Sequence, residues 1–127
     1  MTTNTNIENK ELEIAAEQAE NPKALFEYTL SRPIVYNGVE YNTLSFDFDK
    51  LTGAAALNIE AELSALGKPA IVPSFSGEYL IRMAAKACTA PIGAEFFNII
   101  PIADYNKIIS VARNFLMRTE VYMPNTL

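Results

Sequence analysis

A chain of 127 residues, half of them hydrophobic, is long enough for one buried core and too apolar to be disordered throughout. A net charge of −5 argues against wrapping nucleic acid or coating an anionic membrane. One cysteine and no histidine exclude an intramolecular disulfide, Ser-His-Asp or Cys-His catalysis, and the histidine-bearing zinc sites.

The charge is uneven along the chain. Residues 1–20 hold five glutamates (Glu8, Glu11, Glu13, Glu17, Glu20) against Lys10 alone. The stretch 1–22, ending at Asn21-Pro22, therefore reads as a flexible acidic leader, although Glu8–Glu20 is rich enough in Glu, Ala and Leu to form a helix on a partner. It has neither the basic nor the apolar segment of a signal peptide, and no run reaches the length of a membrane span. A cytoplasmic protein without membrane contact is expected.

Residues 23–118 read as a single α+β domain: an N-terminal β-hairpin packed on a bundle of three to four α-helices. Two runs rich in Tyr, Phe, Val, Ile and Thr flank Asn37-Gly38, the strongest short signal for a type I′ hairpin turn. That turn pairs Tyr36 with Val39 and Ile34 with Tyr41. Unbroken pairing would then set Leu30 against Ser45 and waste both apolar rows. One extra residue near Ser31-Arg32-Pro33 instead matches Leu30 with Leu44, Tyr28 with Phe46 and Phe26 with Phe48. Pro33 cannot donate to a ladder and tolerates a bulge. The parity change sends base and tip to opposite faces. The base is then expected on the helices and the tip beyond them, with Ile34, Tyr36, Val39 and Tyr41 as candidate partner-binding residues. Tyrosine suits either assignment, as core at Tyr28 and as core or contact at Tyr36 and Tyr41.

Asp49 or Thr52 can cap the first helix, whose stripe is Leu51, Ala55, Ile59, Leu63 and Leu66, with Gly67 and Pro69 ending it. The connection 68–75 offers Ile71-Val72 to lie across the core. Ser76 caps a second helix to about Cys88, with Leu80, Met83, Ala84, Ala87 and Cys88 inward and a Glu78/Arg82/Lys86 ladder outward. Ile92–Ile100 reads as a short helical segment with Ile92, Phe96 and Ile99 on one side. Pro101 then opens a last helix, with Tyr105, Ile108, Ile109, Ala112, Phe115 and Leu116 inside and Lys107, Arg113 and Arg118 outside. Residues 119–127 form a C-terminal tail that docks or stays loose.

Chemistry is sparse. Cys88 lies on an apolar stripe, where cysteine behaves as a small inert hydrophobe. Asp47 and Asp49 suit a strand end and a helix cap better than a cation site, and Glu60 and Glu62 point about 200° apart on a helix. The glycines stand singly, without a phosphate loop. No catalytic, cofactor-binding or metal residue is assigned, and no cofactor is expected.

The run Thr29–Leu63, TLSRPIVYNGVEYNTLSFDFDKLTGAAALNIEAEL, resembles the small tail assembly chaperones of long-tailed bacteriophages, of the Mu-like and P2-like type. The shared pieces are Leu30-Ser31-Arg32-Pro33-Ile34 (with Arg32 where Lys is commoner), Gly38 and Leu44–Gly53. Later come Glu78–Ala87 and Asp104–Leu116 in the same order. The leader and the chain after Arg118 have no counterpart. The resemblance implies a non-enzymatic protein of the bacterial host cytoplasm. It would bind the tape measure protein, with the tail-tube protein as a second candidate partner and self-association as a further one, keeping the former soluble until tail-tube polymerisation. The client would sit between the second and last helices or on the hairpin tip. Two other roles compete: a structural or adaptor morphogenesis protein retained in the particle, and a small metal-dependent enzyme using Asp47, Asp49 or Glu60.

Overall fold

The computed structural model describes residues 25–122, with side chains to residue 118. The acidic leader and the last residues of the tail lie outside the described residues. The architecture is α+β. A two-stranded antiparallel hairpin, β1 (Leu25–Tyr36) and β2 (Val39–Asp47), is followed by three α-helices: α1 (Gly53–Ala65), α2 (Gly77–Ala87) and α3 (Ile102–Tyr122). Short 3₁₀ turns at Phe48–Lys50, Pro73–Phe75 and Ala94–Asn98 punctuate them. The helices number three because Ile92–Ile100 forms a 3₁₀ turn and not a fourth α-helix. That tighter turn buries Phe96 and Phe97 together and rotates Ile99 outward to 48% exposure.

The hairpin turn is as the Asn-Gly dipeptide dictates: Asn37 and Gly38 have φ of 51° and 79°, and Tyr36 pairs with Val39 and Ile34 with Tyr41. Ladder pairing breaks between Thr29 and Ile34, around Pro33, but the irregularity is larger than one residue. Beyond it Tyr28 pairs with Leu44 and Phe26 with Phe46, so Leu30–Pro33 stand opposite Asn42 alone. Three extra residues change parity as one does. The same apolar rows therefore turn inward, displaced by two positions. A buried carboxylate explains the larger insertion. Asp104, in the first turn of α3, accepts the Ser31 N–H at 3.1 Å, the Ser31 hydroxyl at 2.9 Å and the Tyr28 hydroxyl at 2.5 Å. The looped-out backbone thus finds its partner on the last helix and not on β2.

Base and tip do not part company. The enlarged bulge bends the ribbon, and both ends reach one core through two aromatic groups. At the base, Phe26, Phe46, Phe48 and Phe115 stack in succession, with Phe48 and Phe115 centroids 5.3 Å apart. At the tip, Tyr36 and Tyr41 both meet Phe96 edge-to-face, at 5.2 and 5.9 Å. The expectation of a tip beyond the helices fails because the 94–98 turn fills the space beneath it.

Local signals set the helix ends. Thr52 is the N-cap of α1, its carbonyl taking the Ala55 N–H, while Asp49 belongs to the preceding 3₁₀ turn. Gly67 (φ 72°) closes α1 with the two bonds of a Schellman motif, Lys68 N–H to Leu63 O and Gly67 N–H to Ser64 O. Leu66 thereby leaves the stripe and is 56% exposed. Ser76 caps α2, its hydroxyl accepting the Tyr79 N–H at 3.1 Å. After α2 the chain adds itself to the hairpin: Cys88 bridges Phe46, and Thr89 N–H donates to Ser45 O at 2.8 Å. α3 runs on to Tyr122, past the expected boundary at 118.

Two surface assignments reverse. Ile71 and Val72 do not cross the core; they are 93% and 45% exposed, because the Pro73–Phe75 turn points Ser74 inward instead. Arg113 is half-buried, its Nε donating to the Ser74 carbonyl at 2.8 Å.

Candidate functional site

Of the four residues expected to meet a partner, Ile34 and Tyr36 are buried in the core and Tyr41 packs half-buried on Phe96. Val39 alone is exposed, at 49%. The Tyr36 hydroxyl donates to the Glu95 carboxylate at 2.5 Å and accepts the Gly93 N–H at 3.4 Å. The bond to Glu95 is the main cause that raises the Tyr36 pKa, and the same bond lowers that of Glu95. Glu95 therefore stays a carboxylate, tying the hairpin tip to the 92–95 segment.

That segment forms one wall of an open groove of ≈560 Å³. The opposite wall is the C-terminal end of α1, through Glu62, Ala65 and Leu66, and the floor is the face of α2 carrying Arg82, Ala85 and Lys86. The groove thus lies over α2, between the end of α1 and the 92–95 segment. The second and last helices, expected to flank it, pack directly on each other through core residues such as Leu80, Ala84, Ile108 and Ala112.

The charge ladder of α2 is not an outer face but the seam of this groove. Arg82 Nη1 holds Glu78 at 2.7 Å, while its Nε and Lys86 Nζ reach across to Glu62 of α1 at 3.7 and 3.8 Å. Arg82 is the main cause lowering the Glu78 pKa, against desolvation. The cations lie deeper than the anions: the Arg82 and Lys86 side chains are 14% and 31% exposed, Glu62 50% and Glu78 43%. Small residues on both walls and the floor (Ala65, Ala94 and Ala85) leave the groove shallow, with charged side chains between them.

No catalytic constellation emerges among the described residues. No three His, Cys, Asp or Glu side chains gather as metal ligands there. Asp47 ends β2, Asp49 sits in the 3₁₀ turn, and Glu62 turns to Arg82 while Glu60 does not share its contacts. Cys88 is buried, and desolvation pushes its thiol pKa up, away from the reactive thiolate.

Asp104 is the functional-looking group that sequence reasoning missed. It is 1% exposed, and burial pushes its pKa up, but the hydrogen bonds from Tyr28 and Ser31 and the charge of Lys107 bring the net direction down. Its place four residues before Ile108 and eight before Ala112, on the buried stripe of α3, was the available signal. Its three donors all belong to the hairpin, so its role is to hold β1 on α3.

Among the described residues no helix is long and apolar enough to cross a membrane. No protein-family description, curated protein or solved structure matches the chain.

Proposed function

We propose that this chain is a phage tail assembly chaperone, binding the tape measure protein in the host cytoplasm and holding it soluble until the tail tube polymerises. Binding and not catalysis is its role. The carrying observation is a contrast between inside and outside. Among the described residues the core leaves no buried side-chain polar atom unsatisfied, yet Leu57, Leu66, Ile71, Phe75 and Ile102 stand 56–93% exposed. Apolar groups that the core does not need are available to an apolar client. The ordered similarity over Thr29–Leu63, Glu78–Ala87 and Asp104–Leu116 supports the same reading, as does an open groove suited to a helical segment.

Co-expression with a tape measure protein tests it. The client should move from the pellet to the soluble fraction when this chain is present and co-purify with it. A client equally insoluble with and without this chain contradicts the proposal.

A further inference from the structure

We draw no further inference here: the strongest candidate, the exposed apolar side chains Leu66, Ile71, Val72 and Phe75 on the connection between α1 and α2, carries nothing, because nothing in the structure shows what covers them.

Discussion

Phe46 and Phe75 both sit in stretches crowded with apolar side chains, yet Phe46 is fully buried and Phe75 is 75% exposed. The difference lies in the backbone. Phe46 belongs to a ladder with Phe26, and the chain after α2 bridges to it through Cys88. Its side chain therefore has one direction to take, between Phe26 and Phe48. Phe75 belongs to a 3₁₀ turn that closes on itself, through Phe75 N–H to Val72 O and Ser76 N–H to Pro73 O. That turn is anchored by the Ser74 carbonyl on Arg113. With its backbone satisfied locally and Ser74 inside, the connection leaves its apolar side chains outside. The hairpin holds the fold, and the 66–75 connection keeps Leu66, Ile71, Val72 and Phe75 exposed.

Substitutions on either side of this contrast should differ widely in cost. Phe46→Ala, at the centre of the aromatic stack, should cost about 3–5 kcal/mol in urea unfolding. Asp104→Ala should cost about 2–3 kcal/mol, because it strands the Ser31 amide and hydroxyl and the Tyr28 hydroxyl. This contribution also carries a pH signature. The folded pKa of Asp104 lies below its unfolded value, so the stabilisation is complete above about pH 4 and is lost as pH falls through the folded pKa. Tyr28, pushed up to about 12 chiefly by its bond to Asp104, gives the opposite sign: its stabilisation is complete below pH about 10 and lost as pH rises towards 12. The stability difference between wild type and Asp104→Ala should therefore shrink at both extremes; a difference flat across pH would remove Asp104 from the clamp. Gly67→Ala, forcing a Cβ into the left-handed region at φ 72°, should cost about 1 kcal/mol by the same unfolding assay. Phe75→Ser should change stability by no more than about 0.5 kcal/mol and make the isolated protein more soluble. A Phe75→Ser loss comparable with that of Phe46→Ala would erase the contrast.

Much of this fold was legible because local chemistry decided it. Asn37-Gly38 fixed the turn and its first two pairs, Ser76 and Gly67 set helix ends, and 3.6-residue spacing named most of the inward faces of α2 and α3. Pro33 marked the place where the ladder breaks but not its size, since the insertion depends on Asp104, which lies 73 residues from Ser31. The same distance problem hid the groove. Glu62, Arg82 and Glu95 come from three separate segments, and the Glu78/Arg82/Lys86 ladder looks like a solvated face until α1 is laid beside it. Tip residues such as Tyr36 and Tyr41 had suitable chemistry for a partner, but Phe96 took their place as that partner from within the chain.

Hydrogen exchange on the purified complex of this chain with a tape measure protein bears most directly on the central claim. Added protection is expected at residues 62–75, 82–86 and 92–95, where the exposed apolar side chains and the groove lie, with the hairpin amides unchanged from the free protein. Added protection confined to residues 34–41, or a chain that forms no complex with such a client, would contradict it.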